Sequence, residues 1–489
     1  MEDRENLDLI SDQERRKTNR NGIIALLLSA VIIMMFFLGY YVRGITEPVS
    51  GQKINEIMQL IKDKSVWAGD MSADELAEML VKNLLSDDKY AKYYSPEEYK
   101  RMLEQDNGTY KGIGVALDKS ANVVQVNMNS PAYRAGIKVG DAFVAGVYKK
   151  DVAAEGDKKF TVFSEKLLEE QKESAKNSDE VKKDKVDDKT IADVCGEFFA
   201  EFDFGEEFDV KIRRDETEIP FKLKKDNYTA AYVEYYDSDN YMYFSTEKEI
   251  VQEKGEPVEK EIFGARIKEG DGNAEISEDT AHIKLHAFEG TAANQFIEAL
   301  DYMKQRGKTK LILDLRDNGG GLITVLTEIA SCLINDNGSS RIKIMKAKEK
   351  LATTYYYTSS NKFYSNIEEI SIIANYNTAS AAEALIGALS DYGDKETYGG
   401  AYFDLHDVIL TEVNGEYCTF GKGVMQTTYE LESGGALMLT TAYVYWPICE
   451  KCIQDSPIRA YENENCVSDE NAIKRANEIL HRVNEEVQD

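Results

Sequence analysis

Apolar residues first gather at the amino end, where the run from Ile23 to Val42 holds no charge. At about 1.5 Å per helical residue this run spans roughly 30 Å, the thickness of a bilayer's hydrocarbon core. Beyond it, Ile54, Ile57, Met58 and Ile61 recur at helical spacing. A second helix is expected from Ser72, where Glu75 completes a capping box, with Leu76, Met79, Leu80 and Leu84 on its buried face. Ser95-Pro96-Glu97-Glu98 opens a third, with proline at the first helical position. From Gly108 the pattern turns to short strands: GIGVALD and NVVQVNM are β-like, and SPAYRAGIKVGD reads as a short helix and a turn. Residues 165–190 are almost all Glu, Lys, Asp, Ser and Gln, which predicts a surface insertion. Strand character returns in FDVKIRRD and IPFKLKKD, and a second acidic insertion is expected over 247–279.

From His282 the periods alternate. HIKLHAF, KLILDLR and ISIIANY read as buried strands; residues 291–304, 322–334 and 380–391 read as helices. Strands alternating with helices of this length predict an α/β domain with a largely parallel sheet. The chain closes in a helix burying Ala472, Ile473, Ala476, Ile479 and Leu480.

Charge narrows the function classes. The 59 basic residues face 88 acidic ones for a net charge of −29, which argues against binding nucleic acid or anionic lipid through general charge. Histidine is limited to His282, His286, His406 and His481, so a histidine-rich metal site is not expected and a catalytic base is sought elsewhere. Arg15, Arg16, Lys17 and Arg20 precede the apolar run and only Arg43 closely follows it. That bias places residues 1–21 in the cytoplasm and the rest outside. The run is long for a signal peptide, and Gly39-Tyr40-Tyr41 is not a small-residue cleavage site, so an uncleaved anchor is expected.

Three junctions carry candidate chemistry. DLRDNGGG, 314–321, sits where a strand ends and a helix begins; its glycines let backbone N–H groups approach a ligand, although an ordinary tight turn has the same composition. NTASAAE, 377–383, exposes Ser380 at a helix start, with the Ala381 amide pointing the same way; a plain N-cap serine is the competing use. TFGKGVMQ, 419–426, sets Lys422 between glycines in an apolar context, where a dry pocket makes it a base and an open turn leaves it a solvated lysine. Together, a serine, a lysine base and glycine amides are the parts of an acyl-transfer site that needs no histidine.

The order of helical prelude, β module and DLRDNGGG–TASAAE–GKGVMQ core resembles the carboxyl-terminal processing peptidases, or tail-specific proteases, over residues 54–460. The resemblance implies an α/β fold with an N-terminal transmembrane helix, a helical prelude, a PDZ-like β module and a crotonase- or Clp-like β/α protease core. It implies Ser380 as nucleophile, Lys422 as general base, Gln426 as the residue orienting the lysine, and the amides of Gly320 and Ala381 as oxyanion donors. GTYKGIGV resembles the start of the family's PDZ domain, which implies that Gly112, Ile113, Gly114 and Val115 hold a substrate's C-terminal carboxylate. The expected divisions are a cytoplasmic tail 1–21, an anchor 22–42, a prelude 50–105, a PDZ-like domain 108–230 with the insertion 165–190, a linker or insertion 231–280, a peptidase core 281–460 and a C-terminal helix 461–489.

This sequence departs from the family in three places. Ser380 and Lys422 stand 42 positions apart, farther than in relatives, which predicts a hairpin inserted around 401–417. The family's second serine is Ala382, and Cys195-Gly196 stands where relatives carry Arg-Gly. Cys449-x-x-Cys452 with Cys466 allows a local disulfide, a partial zinc site or free thiols. The expected whole is a membrane-anchored, extracytoplasmic serine endopeptidase with a Ser–Lys dyad, no cofactor and no metal. It would act on protein substrates with exposed C-terminal tails and bind no nucleic acid, with a homodimer left open. A catalytically inactive PDZ scaffold and a crotonase-like acyl-CoA enzyme are the alternatives.

Overall fold

The computed structural model describes residue 59 and residues 72–482 apart from 85, 152–158, 175–188, 254–255, 336–340, 359–362 and 462. The readings of 1–21, 22–42 and the repeat at Ile54 to Ile61 therefore lie outside the described residues. Among those described, no helix is long and apolar enough to cross a membrane. The chain divides into two units, 1–84 and 85–489.

In the first unit, helix α1 (Ala73–Leu84) starts at the expected capping box: Ser72 N donates to Glu75 Oε2 at 2.8 Å and Glu75 N to Ser72 Oγ at 3.2 Å. Met79, expected on the buried face, is half exposed.

The second unit opens with β1 (Lys92–Tyr94) and α2 (Pro96–Asp106), whose Ser95–Glu98 capping box and first-turn proline match the sequence reading. A β-rich module follows. It comprises β2 (Thr109–Gly112), β3 (Val115–Leu117), β4 (Val123–Val126), α3 (Pro131–Ala135), β5 (Ala142–Gly146), β6 (Thr161–Val162), α4 (Phe163–Ser174), α5 (Ile191–Ala200), β7 (Glu207–Arg214), β8 (Thr217–Lys224) and β9 (Asp226–Thr229). It buries its own core, including Phe143, Phe163, Phe198, Phe208 and Ile212. The start of the acid-rich stretch 165–190 is helical within α4, because Phe163 and Leu167 pack on that core.

The remaining elements are β10 (Val233–Tyr236), β11 (Asn240–Glu253), β12 (Glu256–Asp271), β13 (Thr280–Leu285), α6 (Ala292–Gln305), β14 (Lys310–Asp314), α7 (Ile323–Leu333), β15 (Lys343–Glu349), β16 (Thr353–Tyr357), β17 (Glu369–Ala374), α8 (Ala381–Tyr392), α9 (Lys395–Tyr398), β18 (Val408–Thr411), β19 (Val424–Glu430), β20 (Ala436–Tyr445), β21 (Cys466–Val467) and α10 (Asp469–Leu480). An eight-stranded sheet runs β12-β11-β10-β13-β14-β17-β18-β21. From β13 to β21 its neighbours are parallel, as alternation predicts; β10, β11 and β12 add antiparallel strands at the other edge. The stretch 231–280, expected as a linker or insertion, is thus mostly strand, and β11 and β12 form a long ribbon.

The central strands read as continuous apolar runs because both faces are covered. Leu311 and Leu313 of β14 join the main core with α6, α7 and α8, whereas Ile312 points to the opposite face. There it meets Ile373, Ile409 and the Ala472, Ala476, Ile479 and Leu480 stripe of α10. The stretch 401–417 is likewise more than an inserted hairpin. It supplies β18, buried throughout and paired with β17, before a tight turn that brings Val413 opposite Glu416. A second sheet joins β1, β20, β15 and β16, with β19 on the other side of β20.

Candidate active site

Adjacent parallel strands β14 and β17 release their loops at the same, carboxyl end of the sheet, where α/β folds build sites. The loops are stitched together. Thr378 Oγ1 donates to Leu315 O (2.7 Å), Ala379 N to Asn318 O (2.9 Å), and Asn375 and Asn377 both donate to Asp317 Oδ1 (3.0 and 2.8 Å). At the root of DLRD, Arg316 and His282 both hold the buried Asp314, at 2.6 and 3.2 Å. Burial pulls that carboxyl upward, but these two partners hold it far below the usual carboxylate range. His282 and the charged residues of this motif therefore serve the framework.

Ser380 stands at the start of α8 with φ 59° and ψ −115°, a positive-φ conformation rare for a side-chain-bearing residue and frequent at functional sites. Gly320 lies against it with φ +96°: a Cβ there would come within 2.8 Å of Ser380 Cβ, Ala379 O and Ala381 N. Only glycine fits so close an approach. The two expected oxyanion donors differ, however. Ala381 opens a twelve-residue helix, and among the described residues no hydrogen-bond acceptor occupies its N–H. The Gly320 N–H instead donates to Asn318 Oδ1 at 2.9 Å, so in this conformation it is engaged.

The residue that organises the site is Glu383, which sequence reasoning passed over. It is fully buried, and its carboxylate accepts from Ser380 N (2.9 Å), Lys422 N (3.0 Å), Gly421 N (2.8 Å) and Thr419 Oγ1 (2.5 Å). Burial raises its pKa and these donors oppose the rise. One side chain thus ties the serine's backbone to the lysine's turn, with Phe420 N to Thr378 O (3.0 Å) as a second tie. The S-x-x-E spacing at 380–383 was visible in the sequence as a capping-box signature; its partners 36 to 39 residues downstream were not.

Lys422 is half-buried, and its pKa is lowered by burial, with Lys89 reinforcing and Glu383 opposing. No hydrogen bond joins its Nζ to Ser380 Oγ. The ammonium lies over the Tyr90 ring, 4.7 Å from the centroid. Gln426, expected to orient the lysine, donates instead to Thr440 Oγ1 at 3.4 Å. Thr440 is in turn held by both oxygens of Asp88 (2.8 and 2.9 Å). The turn 88–90 therefore helps build the lysine's surroundings, which nothing in its sequence announced.

Ser380, Ala381, Gly320, Lys422 and Gln426 line one cavity of 1220 Å³. Apolar groups lining the same cavity include Leu326, Met345, Val424 and Val444. His286 also lines it, paired with Glu234 at 2.6 Å; despite its burial, that pairing and the Tyr236 hydroxyl lower Glu234 to about 2. Gly112, Ile113, Gly114 and Val115 are elsewhere, in the β module. There Ile113 O and Gly114 O accept from Ala132 N and Asn127 N (both 2.9 Å), and a Cβ on Gly114 would meet Ser130 at 2.2 Å. Among the described residues no cluster of His, Cys, Asp and Glu is suited to a metal ion. All six cysteines are free thiols, so the local disulfide allowed by Cys449, Cys452 and Cys466 is not formed. Cys195 is buried in α5, and burial pushes its thiol up to about 12.

Residues 279–460 match the sequence profile of peptidase family S41. Over 427 residues, 86% of the chain, it is 24% identical to a Staphylococcus aureus protein called "Probable CtpA-like serine protease", and the match spans 66% of that relative's length. The protein of the same name from Staphylococcus saprophyticus is 24% identical over 441 residues, covering 88% of this chain and 70% of the relative. Among solved structures, the photosystem II D1 C-terminal processing protease aligns at 17% identity with a TM-score of 0.41, covering 87% of this chain and 90% of that one.

Proposed function

We propose that this chain, whose residues 279–460 are a peptidase family S41 domain, is a membrane-anchored serine endopeptidase that cuts extracytoplasmic proteins near their C-termini. In this reading Ser380 is the nucleophile, Lys422 the base, and the core is the crotonase-like spiral of the C-terminal processing peptidases. The observation that carries it is the Glu383 carboxylate, which binds Ser380 N and Lys422 N at once and so fixes two junctions, 42 positions apart, on one cavity.

The chemistry follows from that placement. Neutral Lys422 takes the proton of Ser380 Oγ as the oxygen bonds to the substrate carbonyl carbon. The Ala381 N–H, at the positive end of α8, holds the developing oxyanion. The lysine then returns its proton to the departing amine, and water hydrolyses the acyl-enzyme by the same route. The geometry described is a resting one: Lys422 must leave Tyr90 for the serine, and the Gly320 N–H must leave Asn318 to become a second donor. Catalytic hydrogen bonds commonly tighten only when substrate is bound.

The inactive scaffold deserves a second reading because no hydrogen bond joins Ser380 and Lys422. A serine-reactive fluorophosphonate probe separates the two. An active dyad labels the wild type and not Ser380→Ala; a wild type that resists labelling and cleaves no protein substrate overturns the peptidase reading. In the same proposal the β module 108–230 is a PDZ domain whose Gly112–Val115 loop receives the substrate carboxylate. Amidating a substrate's C-terminus then slows cleavage, and equal rates on free and amidated tails remove that role. The anchor at 22–42 is tested by adding protease to intact cells: a large fragment carrying Ser380 is released, and protection of the whole chain overturns the placement.

A further inference from the structure

Strand β15 reverses the charge of the chain. Residues 341–350 hold Arg341, Lys343, Lys346, Lys348 and Lys350 against Glu349 alone, in a protein of net charge −29. The register of the second sheet sets these lysines among aromatic residues. Lys346 lies between Tyr355 of β16 and Tyr445 of β20; Lys348 lies between Thr353 and Tyr443; Lys343 faces Tyr357. Directly opposed residues share a face, and this face points away from the core. The alternate residue Ala347 is buried, and its partner Val444 lines the catalytic cavity from the other side of the sheet.

The outer face is open. Tyr355, Tyr357 and Tyr443 are exposed, as are Arg341, Lys348 and Lys350. Leu351, at the tip of the β15–β16 hairpin, is 96% exposed. Lys346 is paired with Glu450 at 2.6 Å, whereas no ion pair among the described residues involves Lys343, Lys348 or Lys350. Lys343 and Lys346 lie over the rings of Tyr355 and Tyr445, 5.4 and 5.6 Å from the centroids.

We propose that this lysine–tyrosine face, with Leu351 at its tip, docks on the surface of an anionic phospholipid bilayer. A soluble polyanion or the acidic surface of a second copy satisfies the lysines but leaves an exposed leucine tip and three exposed tyrosines unused. A bilayer interface uses all three classes: basic side chains reach lipid phosphates, tyrosine rings sit at headgroup level, and an apolar tip enters the acyl boundary. Local charge complementarity operates here against the net charge, because screening confines it to about 8 Å at physiological salt. The opposite face carries Met345 and Val444 into the catalytic cavity, so docking holds that cavity one sheet away from the lipid. The inference does not depend on residues 22–42 being an anchor.

The test uses the full chain carrying Leu351→Trp, mixed with or reconstituted into vesicles of phosphatidylcholine alone or with phosphatidylglycerol. The chain carries Trp67 and Trp446, so the hairpin tip is read as the difference in emission and in quenching by brominated lipid between this variant and the parent chain under the same conditions. The expected result is a blue shift and quenching on phosphatidylglycerol vesicles only. Adding Lys348→Gln and Lys350→Gln should weaken the effect about 25-fold in the lipid concentration required, at about fivefold per lysine. Circular dichroism of each variant checks that it is folded. Absence of quenching on phosphatidylglycerol, equal quenching on phosphatidylcholine, or the same blue shift with dextran sulfate or from lipid-free self-association overturns the proposal.

Discussion

Glu383→Gln tests whether one buried carboxylate is the strut of the site. An ionised carboxylate is acceptor-only and suits its four donors. Glutamine keeps the shape but turns one oxygen into an NH₂ group. The least costly orientation aims that group at Thr419, whose hydroxyl can accept, and leaves the oxygen to Ser380 N and Lys422 N. The Gly421 N–H and the Thr419 O–H then both lose their acceptor, at a cost of about 1–3 kcal/mol each. The variant should fold with a thermal midpoint several degrees lower. Glu383→Ala orphans all four donors, roughly 4–12 kcal/mol on the same scale. That rivals the whole stability of a typical domain, about 5–15 kcal/mol, so this variant should not accumulate as folded protein.

The same substitution has an electrostatic reading that a purely structural role lacks. The Glu383 charge raises the pKa of Lys422, against the lowering by burial and Lys89. Neutralising it should let the lysine lose its proton at lower pH. If Lys422 is the base, as proposed, it must be neutral to act, so activity rises with pH through that pKa, and the rising limb of kcat/KM should move to lower pH in Glu383→Gln. The assay is initial rates on an internally quenched peptide over a pH series, beside thermal unfolding. An unmoved limb, or a Glu383→Ala protein as stable as the wild type, would refute the strut.

Three further outcomes follow from the same geometry. Lys422→Arg keeps the positive charge but cannot surrender its proton, so hydrolysis should cease while the unfolding curve is retained, whereas replacing His282, His286, His406 or His481 singly should leave appreciable turnover in any variant that folds. Gly320→Ala forces a Cβ to 2.8 Å from Ser380 Cβ at φ +96° and should abolish fluorophosphonate labelling; normal labelling would mean the loop is free to yield. Tyr90→Ala opens Lys422 to water and should move the rising limb to higher pH, since the lost burial outweighs a cation–π contact of about 0.5–1 kcal/mol; a limb that stays in place would show that Tyr90 does not dry the lysine.

What could be read in advance was whatever one segment encodes alone. The runs KLILDLR and ISIIANY announced parallel strands because α6–α8 and α10 cover both faces, leaving no polar position to break them. Ser95–Glu98 and Ser72–Glu75 announced helix starts because their partners lie three residues away. Three readings failed for one reason, that the deciding partner is distant. VILT is too short to identify as a core strand until β17 pairs with it, so 401–417 read as a hairpin. Residues 231–280 read only as a linker or insertion because their acid-rich composition hides a ribbon made by pairing β11 with β12. Glu383 sat in plain view inside TASAAE, but three of its four donors belong to Thr419, Gly421 and Lys422.

The same distinction bears on why Lys422 and Ser380 can share a cavity without touching. Glu383 grips the lysine's backbone N–H, not its ammonium, and so fixes where the chain passes while leaving the four-carbon side chain to turn about it. In the proposed mechanism two groups compete for the lysine nitrogen: the Tyr90 ring, which favours its protonated form, and Ser380 Oγ, which needs the neutral amine. Tyr90 belongs to the turn that Asp88 holds to Thr440, and Thr440 is also the partner of Gln426. In the proposed mechanism the long separation between Ser380 and Lys422 is therefore harmless: β18 fills it inside the sheet, and the Glu383 carboxylate sets its endpoints.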